Sequence, residues 1–156
     1  MTNTILGLRN LPSASPEIVR EALTYWEGKL EGRRMPARRD IDPVLEIPGL
    51  LPWIILVDVL RDPLDFRYRV IGTGVVERTR RDYTGACLSE LAHVERDGPL
   101  WIDRIAVIET QAPRLMAPSY TGGDNTVQNV SGVHLPLSRD GENVNMILTF
   151  VAYRTG

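Results

Sequence analysis

Three features of the sequence predict an α+β fold in which helices gather on one face of an antiparallel sheet. Residues 53–60 are apolar on both faces apart from Asp58, and Asp62-Pro63 turns them into residues 66–71, where Phe66, Tyr68 and Val70 alternate with Arg67 and Arg69. Near the end, residues 127–138 and 144–153 are strand-like and are joined by the hairpin turn Arg139-Asp140-Gly141. Between these pairs lies mostly helical sequence, and the strands outnumber those of a βαβ crossover fold.

The elements follow in order. Ser15-Pro16-Glu17 supplies a cap, a proline suited to the first helical position and an acid in the first turn. Ile18, Val19, Ala22, Leu23, Trp26 and Leu30 then recur at helical spacing, and the helix is expected to end near Gly32. Its apolar side must cover either the chain's own sheet or a second subunit, which makes Val19, Leu23, Trp26 and Leu30 candidates for a dimer interface. The chain divides on this reading into an N-terminal extension with its amphipathic helix, 1–34, and a sheet domain, 35–156. Residues 35–43 form a proline-punctuated connection, and Asp42-Pro43 starts a short helix that Pro48 and Gly49 stop.

The apolar residues 53–60 read as a central strand with 66–71 antiparallel beside it. Gly72-Thr73-Gly74 permits a sharp exit into a turn of helix from Val75, capped by Thr73 or Gly74. Asp82 can accept from the backbone N–H groups that follow it, and Gly85 can take positive φ. Leu88 and Leu91 mark a short helical stretch. Gly98-Pro99 opens a longer helix with Trp101, Ile105 and Ile108 on one side, ending by Pro113. Pro113 and Pro118 demote the strand at 115–120 to an edge, and residues 121–125 turn the chain into the final hairpin.

A chain of 156 residues, 43% hydrophobic and 24% charged, fits one globular domain with a real core. A net charge of −2 and a pI near 5.7 exclude a dedicated nucleic-acid surface. Arg33, Arg34, Arg38 and Arg39 cluster, but Asp40 and Asp42 follow at once, so a solvated loop or a local ion-pair set is expected. The lone Cys87 cannot form an internal disulfide, and no charged segment followed by an apolar stretch opens the chain, which points to the cytoplasm. The apolar run 50–60 is broken by Pro52 and Asp58 and is too short for a bilayer, so no membrane partner is expected.

Catalytic and cofactor motifs are sparse. Gly72-x-Gly74 meets Glu77 where a dinucleotide fingerprint needs a small glycine, and no Gly-Lys-Ser or Gly-Lys-Thr run offers a phosphate cradle. Cys87 and His93, with Glu90 or Asp97 as orienting acid, are the imaginable nucleophile and base, yet a cysteine between Ala86 and Leu88 is most often a small buried hydrophobe. Glu90 and His93 could share a helix face as metal ligands, but a third ligand at obvious spacing is missing, so no metal site is assigned.

The order of elements, the Gly-Thr turn, Arg81-Asp82-Tyr83-Thr84-Gly85 and Leu135-Pro136-Leu137-Ser138-Arg139-Asp140-Gly141 together resemble PAS-superfamily single-domain proteins of bacteria, in particular a group common in proteobacteria. Tyr25-Trp26, the stretch from Arg38 to Pro43 and Leu50-Leu51-Pro52 match as well, so the resemblance runs from about Ala22 to the end. It implies a five-stranded antiparallel sheet in the order 2-1-5-4-3, helices on one face and often a small cavity beneath them. It also implies signalling: sensing of a small molecule, light or redox state, or a protein-interaction platform, frequently dimeric through an N-terminal helix. Some relatives hold haem through a mid-domain histidine, which would be His93, but the match is to a region and not to a motif. The Asn-Cys-Arg run of flavin photosensors is missing around Cys87, so neither haem nor flavin has motif support and the cofactor is left unknown.

The candidate functional site is therefore an apolar cavity. Trp53, Tyr68, Trp101, Met116 and Tyr120 are candidate wall residues, with plain core packing the alternative for each, and Arg69, Thr73 or His134 could orient a ligand's polar end. The expected function is a cytoplasmic, non-enzymatic sensory or regulatory domain, homodimeric, with a signalling protein as partner. No kinase, cyclase or DNA-binding segment follows the sheet, so output would pass through that partner. Two alternatives stay open. One is a small-molecule enzyme on a cone-shaped α+β fold, and the other is a structural adaptor whose cavity its own side chains fill.

Overall fold

A computed structural model describes residues 5–118, 120, 122 and 124–156. Helix α1 spans Glu17–Gly28 and α2 spans Pro43–Glu46. Strands β1 (Ile54–Leu60) and β2 (Asp65–Ile71) precede α3 (Thr73–Thr79) and α4 (Pro99–Thr110), and β3 (Arg114–Met116), β4 (Val127–Leu137) and β5 (Met146–Thr155) complete the chain. The strands form one antiparallel sheet in the order β2-β1-β5-β4-β3. β1 and β5, the most apolar strands, lie inside it, and the proline-flanked β3 is at an edge as its sequence predicts. β3 is shorter than expected and stops at Met116 before Pro118; of the segment read as its continuation and turn, Ser119, Thr121 and Gly123 lie outside the described residues.

Pleating sorts the sheet residues into two faces. The ladder pairs His134 with Thr149, Gly132 with Val151 and Ile55 with Thr149, so these share a face. Val133, Leu135, Leu148 and Phe150 point the other way and are equally buried. Helix α4 packs on β3 and β4, and α1 packs on β4 and β5. No α1 residue lines the cavity on the first face, so α1 covers the second. α3 and α4 gather on one face of the sheet, and the N-terminal helix closes the other.

That placement corrects the role offered to α1. Val19, Leu23 and Trp26 are buried against the chain's own strands, and Leu30 packs half-buried on the same core. The Trp26 indole N–H donates to the Pro136 carbonyl of β4 at 2.9 Å. The apolar face that could have met a second subunit is already partnered, because β4 and β5 present an uncovered hydrophobic surface within the same chain. The connection after it is not simply solvated: Met35, Ala37 and Ile41 are buried. Of the arginine cluster, Arg33 pairs with Asp40 at 2.9 Å, the local ion pair its sequence suggests.

β2 departs from simple alternation. Leu56 pairs with Val70 but Val57 pairs with Tyr68, so Arg69 is an extra residue, a β-bulge. Beyond it the faces exchange. Val70, expected beside Tyr68, is 40% exposed on the opposite face, and Ile71 turns toward the cavity.

The short helices follow local chemistry. Asp42 accepts from the Leu45 N–H at 3.3 Å and starts α2. Asp82 accepts from the Thr84 N–H at 3.0 Å, and Gly85 takes φ +91°. Gly72 and Gly74 serve otherwise than expected. Gly72 is the α3 cap at φ −63°, needing no left-handed freedom, and a Cβ there would lie 2.4 Å from the Pro52 carbonyl oxygen. A Cβ on Gly74 would lie 2.6 Å from the Trp53 ring. Both glycines allow α3 to approach the segment that leads into β1.

Candidate ligand cavity

A cavity of about 580 Å³ lies between the sheet and the layer of α3, α4 and their connection. Its floor is the sheet: Ile55 of β1, Tyr68 and Ile71 of β2, Met116 of β3, Val130 and His134 of β4, and Thr149, Val151 and Tyr153 of β5. Val75 and Thr79 of α3 and Gly98, Pro99, Leu100 and Arg104 around the start of α4 form the roof. Arg81, Tyr83, His93 and Glu95 stand at its rim, and Tyr83 and His93 lie ring against ring with centroids 5.7 Å apart.

Four of the expected cavity residues meet here: Tyr68, Met116, Tyr120 and His134. The other four do not. Arg69, the bulge residue, is exposed and pairs with Asp58 at 3.0 Å. Thr73 is exposed on the first turn of α3. Trp53 is half-buried beneath Gly74 and beside Tyr153; it packs against the cluster of Val75, Val130 and Val151, which line the cavity, without lining it itself. Trp101 is buried in the core, its ring edge-on to Phe66 at 5.5 Å and covered by the Arg96 guanidinium at 4.6 Å. Core packing, the alternative held open for each aromatic, is the role of Trp53 and Trp101. Cys87 is likewise buried, which pushes its thiol pKa up, and it does not line the cavity with His93.

Two residues that carry the cavity's polarity were not singled out from the sequence. Thr149 meets His134 across the β4–β5 ladder, Oγ1 to Nδ1 at 2.6 Å. Burial, with the charges of Arg104 and Arg114 adding to it, holds the His134 pKa well below the usual imidazole value, so the ring is neutral at pH 7. Arg104 is only 2% exposed. Its side chain folds back along α4 and one terminal nitrogen donates to the Leu100 carbonyl at 3.0 Å, while the guanidinium carbon stands 5.8 Å from the centre of the Tyr68 ring. Its Nε is buried with no hydrogen-bond partner among the described residues. The neighbouring acid, Asp103, is engaged with Arg114 at 2.8 Å. The signal for Arg104 was its spacing: Trp101, Arg104 and Val107 are the buried positions of α4, one step around the helix from the expected Ile105 and Ile108.

The α3 end is tied to the β3–β4 connection. Arg78 pairs with Asp124 at 2.5 Å, the Tyr120 hydroxyl donates to the Arg78 carbonyl, and the Asp124 N–H donates to that hydroxyl at 2.8 Å. The Asp124 carboxyl is held well below the usual range, first by the Thr126 hydroxyl and N–H and then by Arg78. Burial pushes the Tyr153 phenol up to about 12. Among the described residues, no three His, Cys, Asp or Glu side chains gather in a metal-binding cluster, and no helix is long and apolar enough to cross a membrane.

The sheet order and the cavity under α3 and α4 are the architecture implied by the family resemblance. A family model described as a PAS domain matches residues 15–150, nearly the whole chain. The chain belongs to the PAS domain family. Searches of curated proteins and of solved structures find no match. The matched span of this PAS domain begins ahead of α1, so the helix that closes the back of the sheet falls inside it.

Proposed function

We propose that this PAS domain is a cytoplasmic sensory or regulatory module that binds a small molecule between its sheet and its α3–α4 layer and reports occupancy to a partner protein. One observation carries the reading: the cavity, about 580 Å³, has polar groups on both walls, His134 and Thr149 on the sheet and Arg104 on α4. That volume is in the range of small-molecule sites, and most of its lining is apolar. A ligand touching both walls favours one packing of α4 on the sheet over others, which is what a signal requires. Self-association, if the domain uses it, would need a surface other than the buried face of α1.

The enzyme alternative gains less support. A general base is usually set by a carboxylate partner, and His134 has a threonine there, with its proton affinity lowered by burial. The test is native mass spectrometry of gently purified protein. Retained mass that leaves on denaturation, or a small molecule that binds when added back, is the expected result. A bare chain that also gains no thermal stability from any member of a broad metabolite set would overturn the sensory reading in favour of an adaptor.

A further inference from the structure

We propose that the cavity's ligand is an amphipathic organic carboxylate, its anionic head on Arg104 and its apolar body along the sheet floor. The inference rests on the sensory reading above and assigns the ligand's chemical class.

Arg104 lacks an acidic partner among the described residues. It is a buried guanidinium: among the described residues one terminal nitrogen donates to the Leu100 main-chain carbonyl, and Nε has no partner. The ion pairs present involve other residues, and Asp103, next in the chain, is held by Arg114. Burying an unpaired charge is costly, and a guanidinium does not escape the cost by losing its proton. Glu95 is the acidic residue in the lining, and it stands exposed at the rim. A ligand carboxylate would supply the missing charge and accept from the guanidinium.

Neighbouring groups favour an anion independently. The α4 N-terminus, Gly98 to Leu100, opens on the same cavity and brings the positive end of a twelve-residue helix with it. His134 is neutral with Thr149 as partner, so it adds hydrogen-bonding capacity and no second charge. Arg104 is the buried cation of the lining, while Arg81 stands exposed at the rim where water screens it, so one negative charge is balanced at depth. A phosphate dianion would leave a unit of charge unbalanced in a poorly solvated space, so a carboxylate fits better. Ile55, Ile71, Val75, Val151 and Tyr153 offer the remainder of the ligand apolar contacts.

The experiment is calorimetric titration of the wild-type chain with octanoate, 3-phenylpropanoate, the primary amide of each, and inorganic phosphate. At least one acid is expected to bind more tightly than its amide by about tenfold or more, the worth of a buried charged hydrogen bond. Arg104→Met should remove that preference and leave amide binding in place; should this variant not fold, the acid and amide pair on wild type decides alone. Amides binding as well as acids would overturn the anionic head while leaving a ligand cavity intact. Phosphate competing at equal affinity would overturn the carboxylate assignment. If neither acids nor amides bind, the proposal is wrong, and a native mass spectrum without bound mass would then remove the sensory reading too.

Discussion

His134 and Thr149 face each other across the β4–β5 ladder, Nδ1 to Oγ1 at 2.6 Å, on the floor of the cavity. The ring is neutral because burial, aided by Arg104 from α4 and Arg114 from β3, holds its pKa well below the 6.5 of a free imidazole. In the unfolded chain it titrates at the ordinary value, so below that pH the unfolded state binds a proton the folded state refuses. Stability is therefore fully present above 6.5 and falls as pH drops through that value toward the lowered folded one. The expected slope approaches about 1.4 kcal/mol per pH unit between roughly pH 6 and 5. Asp124 and Asp140 lose their contributions only below the ordinary carboxylate value of 3.8, outside this window. Urea unfolding at several pH values checks it: His134→Gln should flatten the slope, and parallel curves for the two proteins would refute the assignment.

Trp26 on α1 tests whether that helix belongs to the fold or to a subunit contact. It is 4% exposed, and its indole N–H is satisfied by the Pro136 carbonyl at 2.9 Å. Trp26→Ala is expected to cost about 3–5 kcal/mol through the cavity it leaves and the orphaned carbonyl. The measurement is urea unfolding run beside analytical ultracentrifugation. A large loss of stability at constant sedimentation fits α1 as the second cover of the sheet. Unchanged stability with a smaller sedimenting species would place its apolar face between subunits instead.

How far the sequence could be read varies along the chain. Strand order at the proline-marked edge and the β4–β5 hairpin were legible because proline and turn residues act locally. The exchange of Val70 and Ile71 was not, because the bulge at Arg69 adds one backbone residue and leaves no side-chain signature. Tyr68 and His134 were found because a buried-face aromatic and a strand histidine stand out. Arg104 was missed for the opposite reason: an arginine on a helix is ordinarily exposed, and Ile105 and Ile108 drew the apolar face one position away from it. Only the packing of α4 on β3 and β4 shows that a cation faces inward there.

Gly72 and Gly74 lend themselves to a test in which the sign of the effect decides. Gly72 has φ −63° and ψ 151°, which alanine adopts freely, so with open space around it Gly72→Ala would stabilise by about 0.4–1 kcal/mol by restricting the unfolded chain. The structure instead puts the new Cβ 2.4 Å from the Pro52 carbonyl oxygen and 2.5 Å from that of Leu51. Main chain cannot turn aside as a side chain can, so a loss of about 1–3 kcal/mol is expected by chemical unfolding. At Gly74 the obstacle is the half-buried Trp53 ring at 2.6 Å, which can swing outward, so Gly74→Ala should cost less than Gly72→Ala. Removing the ring should then remove the penalty: in a double-mutant cycle Trp53→Leu is expected to make Gly74→Ala neutral or stabilising while leaving the cost of Gly72→Ala in place. Stabilisation by Gly72→Ala alone would mean that α3 does not sit against residues 51 and 52, and that the helix forming this part of the cavity roof is placed differently.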